Sequence, residues 1–386
     1  MMVEQIIPKN WKITTLGQII SLGLISNHND KRCPLAGAER LKKQGVYPYY
    51  GAASAIDYIN EYKYDGFYLL VAEDGTVYDG KSPMLQLVNG KFWVSNHSHV
   101  LQGKDENATK FLFYILKNIN VSPYITGAVQ PKLTKGNLYN ISFLIPEKEE
   151  EQRAIAAVLS SLDDKIELLR EQNKTLEATA QAIFKEWFVN FNFPGSTDRM
   201  IDSELGKIPE GWRVGMVNDV IKRDTITYRC DADDLSKTGK TPIIDQGSNG
   251  LYGHTEREPD FEASTENPVI LFTNHTCNMW FVNYPFCAIQ NVIPFRGNEE
   301  YSSFFVYYMT LGRVTFIEYK GHWPDFEQKE YVVPTPELAN KFAEIVKPLQ
   351  YKIWNNNSQI QTLSALRDTL LPKLMKGQVR VAGFKD

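Results

Sequence analysis

The chain has 386 residues, 43% of them hydrophobic and 23% charged, with a formal net charge of -4. That composition belongs to a folded globular protein long enough for two or three domains, and it excludes a disordered or fibrous chain. No stretch approaches the roughly 18 apolar residues of a membrane-spanning helix, the N-terminus lacks a signal-peptide core, and Cys33, Cys230, Cys277 and Cys287 show no paired spacing, so a cytoplasmic chain with reduced thiols is expected.

Residues 1–145 carry a net charge of +4 and read as a β-rich globular segment. Phe67 to Val71 and Met84 to Val88 are short apolar runs that predict strands, and Asn89-Gly90 before Phe92 is a hairpin signal. Thr109 to Asn118 predicts an amphipathic helix. Residues 146–193, with net charge -4, open on Pro146-Glu147, a normal helix start. From there apolar positions step by four and three through Ile155, Leu159, Leu162, Ile166, Leu169, Asn173, Leu176, Ala180, Ile183 and Trp187. That heptad seam predicts a coiled-coil helix from Lys148 to Asn190, roughly 64 Å long.

Pro194-Gly195-Ser196-Thr197-Asp198 reads as a linker. It opens the segment 194–335, whose net charge is -8. Strands are predicted at Val269 to Phe272 and Met279 to Val282, a turn near Asn283-Tyr284-Pro285, and a helix at Ser302 to Leu311. Residues 336–386, net +4, begin with Pro336-Glu337 and keep the seam as Phe342, Val346, Leu349, Ile353, Asn356, Ile360, Leu363, Arg367, Leu370 and Leu374. Pro348 and Asn355-Asn356-Asn357 are expected to weaken or bend this second helix.

The chain also repeats itself. Ile7-Pro8-Lys9-Asn10-Trp11-Lys12 returns as Ile208-Pro209-Glu210-Gly211-Trp212-Arg213, Tyr47-Pro48-Tyr49-Tyr50-Gly51 as Thr241-Pro242-Ile243-Ile244-Asp245, and Phe111-Leu112-Phe113-Tyr114 as Phe304-Phe305-Val306-Tyr307. The two Pro-Glu helix openings complete four matches in one order. The fold class is α+β: two β-rich globular domains separated by two long antiparallel coiled-coil helices, with a pseudo-twofold internal repeat. Antiparallel pairing about the two seam centres sets Asn173 against Asn356, an amide pair suited to fixing register.

Glu151-Gln152-Arg153-Ala154-Ile155, Leu162-Asp163-Asp164-Lys165-Ile166, Ala180-Gln181-Ala182-Ile183-Phe184 and Trp187-Phe188 resemble the central helical region of type I restriction specificity subunits. Gly45-Val46-Tyr47-Pro48-Tyr49-Tyr50-Gly51 and Gly127-Ala128-Val129-Gln130 resemble pieces of that family's target-recognition domains, and Pro8-Lys9-Asn10-Trp11 and Pro209-Glu210-Gly211-Trp212 match where those domains begin. In the second half Lys320-Gly321-His322-Trp323-Pro324 stands in place of the Gly-Ala-Val-Gln pattern, and the second helix lacks the Glu-Gln-Arg start. The resemblance implies target-recognition domains at 1–145 and 194–335, each reading half of a bipartite double-stranded DNA site from the major groove. It implies spacer helices at 146–193 and 336–386 that dock two methyltransferase subunits, with restriction subunits joined through the complex. The chain itself would be non-catalytic and need no cofactor.

Major-groove reading calls for amides, hydroxyls and cations on loops. The candidates for DNA contact are Lys31, Arg32, Arg40, Lys42, Lys43, Tyr47, Tyr50, Gln130, Lys132 and Lys135 in the first domain. In the second they are Arg223, Arg229, Lys237, Lys240, Gln246, Ser248, Asn249, Tyr252, Asn274 and His275. A solvated charged loop is the competing reading for any single lysine. Phe184, Trp187, Phe188, Leu370, Leu371 and Met375 carry more apolar surface than a two-helix seam covers, which marks them as a partner interface.

Asn96-His97-Ser98-His99 reads as a polar strand face rather than a metal site, and His275 and Cys277 with Cys287 lack a fourth zinc ligand, so no metal is expected. Asn283-Tyr284-Pro285-Phe286 mimics a methyltransferase loop, and Pro324-Asp325 with Glu327-Gln328-Lys329 a nuclease set, but neither has its supporting residues. No phosphate-binding Gly-x-x-x-x-Gly-Lys-Ser/Thr loop exists. A stand-alone restriction or methylation enzyme and a coiled-coil scaffold without DNA contact are the rival readings.

Overall fold

Both copies of the Ile-Pro-x-x-Trp repeat fold into the same turn. In the computed structural model, which describes residues 7–74, 77–78, 82–127, 130–197, 199–247, 250–318 and 320–384, the Trp11 and Trp212 N–H groups donate to the carbonyls of Pro8 and Pro209, each at 3.1 Å. The residue before each tryptophan takes a positive φ, 63° at Asn10 and 84° at Gly211. Asn and Gly are the residues that tolerate that left-handed region. The strands that follow, Trp11–Thr15 and Arg213–Met216, pair antiparallel with Ser142–Pro146 and Glu330–Val333, the strands that lead into the long helices.

Two units make up the chain: 1–168 with 360–386, and 169–359. The first holds a six-stranded sheet in the order Ile25–Asn27, Ser98–Gly103, Tyr64–Ala72, Leu85–Val94, Gln44–Tyr50, Ala55–Ile59. Neighbours are antiparallel except where Tyr49 and Tyr50 lie parallel to Trp93 and Val94. The second unit has a four-stranded antiparallel sheet, Ile221–Arg223, Val292–Gly297, Val269–Thr273, Met279–Val282, and a three-stranded one. In the latter, Thr241–Ile244 has an antiparallel partner, Leu251–Thr255, and a parallel one, Cys287–Ala288. It thereby repeats the pairing of its sequence match in the first unit.

The matched Phe111–Tyr114 and Phe304–Tyr307 segments both lie on helices, Glu106–Lys117 and Ser303–Thr310. Asp105 and Ser302 cap them by accepting the N–H of Ala108 and Phe304. Asn89-Gly90, by contrast, makes no hairpin turn. It lies within strand Leu85–Val94, where Gly90 (φ 92°) faces Gly66 (φ 130°) across the ladder with Tyr64–Ala72. Paired glycines absorb the unusual backbone on both strands at once, so the eight-pair ladder continues through them.

The long helices run Glu149–Phe188 and Pro336–Met375, 40 residues or about 60 Å each. The first starts three residues after Pro146, because Pro146 closes the ladder with Trp11. The second is continuous through Pro348 and Asn355–Asn357, against the expected weakening. Phe342, Val346 and Ile353 are buried around the proline, and each such side chain gives about 1.5–3 kcal/mol, together more than the roughly 3 kcal/mol a mid-helix proline costs.

No seam residue of either helix is exposed. Within the first unit Arg367 reaches Asp163 at 2.6 Å. Within the second, Asn356 donates to Asn173 at 2.8 Å and Asn173 donates to Asn357 at 2.7 Å. In both units the partners' positions sum to about the same value, so the helix segments pair antiparallel. The amides meet as expected, and Asn356 is wholly buried rather than solvent-facing.

Candidate nucleic-acid interface

In the first unit, Glu73 and Asp74 follow the central strand Tyr64–Ala72 and sit against the turn before Ser98–Gly103 and the segment entering helix Lys135–Tyr139. Backbone bonds fix this corner: Glu73 N–H donates to His97 at 2.9 Å, and Leu133 N–H to Glu73 at 2.7 Å. Arg32 contacts the Glu73 carboxylate at 2.5 Å and donates to the Asn96 and Ser98 carbonyls at 3.2 and 3.1 Å. Lys132 lies 3.5 Å from Asp74, which also pairs with His97. Arg40 pairs with Asp57 at 3.0 Å and Lys43 with Glu61 at 2.8 Å.

These four cations are therefore structural or partly neutralised. Lys31, Lys42 and Lys135 are exposed, as is Gln130, and among the described residues the three lysines make no ion pair. Tyr47 packs its edge on Tyr62 at 5.1 Å, and Tyr50 on Phe92 at 5.8 Å. Ala128 and Val129 lie outside the described residues.

The Asn96–His99 segment is not one polar strand face. His97 is half-exposed in the turn, whereas His99 is fully buried, with Asn29 Nδ2 at 2.9 Å and the Leu133 carbonyl at 2.7 Å. Burial holds the His99 imidazole below its ordinary pKa of 6.5. The unfolded chain thus binds a proton that the fold refuses. The stability tied to neutral His99 is complete above about pH 6.5 and is lost as pH falls toward the lowered folded value. Acid titration of the wild type, followed by circular dichroism, should show this loss as pH falls below about 6.5, and His99→Gln should flatten it. An unchanged profile would place the acid response elsewhere.

The second unit places amides and imidazoles after its strand Val269–Thr273. His275 N–H donates to Gln246 Oε1 at 3.1 Å, and the His275 ring nitrogen lies 2.8 Å from the Lys320 carbonyl. His322 N–H donates to the Asn274 carbonyl at 2.8 Å, and Trp323 N–H to its side-chain oxygen, also at 2.8 Å. Gln246, Asn274 and His275 thus converge, and the Lys320-Gly321-His322 segment joins them. Lys320 and His322, which the sequence did not single out as site residues, reach Asp325 at 3.2 and 3.4 Å. Asp325 therefore serves an ion pair on the short helix Trp323–Glu327.

Arg223 lies over the Trp323 ring at 5.3 Å. Arg229, Lys237, Lys240 and Tyr252 are exposed, and the three cations make no ion pair among the described residues. They lie on the segments before and within the Thr241–Thr255 hairpin. Ser248, Asn249 and the linker's Asp198 lie outside the described residues.

The six apolar candidates for a partner interface are not an exposed patch. Phe184 and Phe188 are buried in the core of the second unit, and Leu371 and Met375 in that of the first. Trp187 and Leu370 are half-buried against the same cores. The surplus apolar surface is covered by the globular part that each helix end adjoins.

Residues 8–178 match the family described as type I restriction modification DNA specificity domain. A specificity subunit of the type I restriction enzyme MjaIX from Methanocaldococcus jannaschii is 28% identical over 308 residues, 72% of this chain and 71% of the relative. A putative type I specificity subunit from Haemophilus influenzae is 37% identical over 134 residues, 35% of this chain and 34% of the relative. The crystal structure of a type I restriction-modification S subunit from M. genitalium has the same fold, with a TM-score of 0.62 at 17% identity over 97% of this chain and 98% of that one.

Residues 8–178 thus resemble a DNA specificity domain of the type I restriction-modification class, and over 72% of its length the chain is similar to a type I specificity subunit.

Proposed function

We propose that each unit reads one half of a bipartite double-stranded DNA site, and that the long helices set the separation of the two readers. The observation that carries this reading is the internal repeat: three of the four matched segments, in one order, fold into the same elements once in each unit, and the fourth leads into a long helix in each. Two readers at fixed spacing suit half-sites on one face of the duplex, about 34–36 Å apart per helical turn. The exposed cations that make no ion pair among the described residues, Lys31, Lys42, Lys135, Arg229, Lys237 and Lys240, supply phosphate attraction that a chain of net charge -4 cannot supply globally. The amides and imidazole of Gln246, Asn274 and His275 suit base edges.

In this reading the chain is a non-catalytic cytoplasmic subunit that docks two methyltransferase subunits, with restriction subunits joining through the complex. Exposed apolar residues on the helices, Leu168 and Leu366, are better docking candidates than the six buried ones.

The test is a salt titration of DNA binding by the chain in complex with its methyltransferase partner, using duplexes carrying the methylated motif of the host genome. Lys31→Ala and Arg229→Ala should each weaken binding to all sequences and lower the slope of log affinity against log salt by about 1. Arg40→Ala, which breaks an internal ion pair, should leave the slope unchanged. Equal slopes in all three variants would remove the assignment of these cations to phosphate.

A further inference from the structure

We propose that Cys230, Asp260 and Cys287 form a site for a thiophilic divalent cation of the zinc class, clamping the loop that carries Arg229. The two sulfurs and a carboxylate oxygen lie within 4.8 Å of one another. The backbone holds them there. Cys230 N–H donates to the Ala288 carbonyl at 3.0 Å, and Phe261 and Phe286, neighbours of Asp260 and Cys287, exchange two N–H···O bonds at 3.1 Å. Cys287 also pairs in parallel with Ile243.

Asp260 supplies the second observation. Its side chain is only 9% exposed, and its Oδ2 is buried with no hydrogen-bond partner. Its other oxygen lies 3.8 Å from Arg257, which spreads over the Tyr228 ring at 3.6 Å. One long ion pair holds the carboxylate beside the two thiols, of which Cys287 donates to the Glu258 carbonyl at 3.5 Å. Two buried cysteines beside Ile243 and Ile289 could be ordinary small hydrophobes. That account gives the aspartate no role, and a buried unsatisfied carboxylate oxygen is costly.

A cation resolves the mismatch. Zn–S bonds of about 2.3 Å and a Zn–O bond of about 2.1 Å, arranged tetrahedrally, put the ligand atoms about 3.6–3.8 Å apart. The three atoms, within 4.8 Å of one another, need to draw in by about 1.2 Å at most. Binding replaces the two thiol protons, which leave to solvent, so no electron changes hands. Two thiolates and one carboxylate around a dication leave a charge of -1, beside the Arg257 guanidinium, and water completes the tetrahedron. Cys277 and His275, which the sequence offered as partners of Cys287, are not part of this cluster.

The full chain, loaded with zinc under reducing conditions and dialysed against buffer, should retain one equivalent by elemental analysis. Cobalt in its place should give a thiolate charge-transfer band. Cys230→Ser and Asp260→Asn, the second nearly isosteric and so least disruptive to folding, should each drop retention below about a tenth of an equivalent, while Cys277→Ser retains the metal. Failure of the wild type to hold zinc, equal retention in Asp260→Asn, or a Cys230–Cys287 disulfide found by non-reducing peptide mapping would each overturn the proposal. None of these outcomes depends on DNA binding.

Discussion

Phe188→Ala is expected to destabilise the second unit by about 3–5 kcal/mol, enough to unfold a marginal domain. Phe188 is 6% exposed and stands at the end of the first long helix. Its ring lies 5.0 to 5.8 Å from those of Phe184, Trp212, Phe305 and Phe342, which come from both long helices, the repeat turn and the helix Ser303–Thr310. Removing the ring opens a cavity where four segments converge, and none can close it without moving the others. Urea denaturation followed by tryptophan fluorescence checks this, with Leu366→Ala, at a 45% exposed position, as a control expected within about 0.5 kcal/mol of wild type. A stable Phe188→Ala chain that fails to bind its methyltransferase partner would return this residue to an interface.

The second large effect concerns Glu151, in the Glu-Gln-Arg start of the first long helix. Its carboxylate is 1% exposed and meets Arg380 through two bonds, at 2.5 and 2.8 Å. The Arg380 guanidinium also lies 5.8 Å from the Trp11 ring centre. Gln152 donates to the Pro146 carbonyl at 2.7 Å, and Arg153 reaches Asp105 at 3.1 Å. The motif therefore ties the C-terminal tail and the opening strand to the helix start. Glu151→Ala strands a largely buried guanidinium and should cost about 3–5 kcal/mol. The double variant with Arg380→Ala should cost no more than the single one, because the stranded charge is gone. Additive losses in denaturation would show the pair to be uncoupled.

What the sequence revealed was mostly local. A heptad seam is set by neighbours three and four apart, so the long helices and the Asn173–Asn356 meeting could be read directly. The repeat was visible because each copy needs the same residue types, such as a left-handed Asn10 or Gly211 before a buried tryptophan. Failures came where a distant segment decides the outcome. Asn89-Gly90 looks like a turn until Gly66 is known to face it. Phe184 and Phe188 look like a patch until Phe305 and Trp212 cover them. Arg32 and Arg40 look like phosphate binders, yet Glu73, 41 residues on, and Asp57, 17 residues on, already hold them. Charge type is written in the sequence, but charge pairing is not. The three-ligand cluster at Cys230 was invisible for the same reason, since 57 residues separate its ends.

The division of the chain into two separate readers is the central claim, and one exchange tests it most directly. Segment 1–145 is replaced by that of a related specificity subunit, and the genome-wide methylation pattern is sequenced in cells expressing the hybrid with the methyltransferase partner. The account predicts a motif in which one half-site changes while the other half-site and the spacer length stay as they were. A hybrid that alters both half-sites together, or methylates the original motif unchanged, would contradict it.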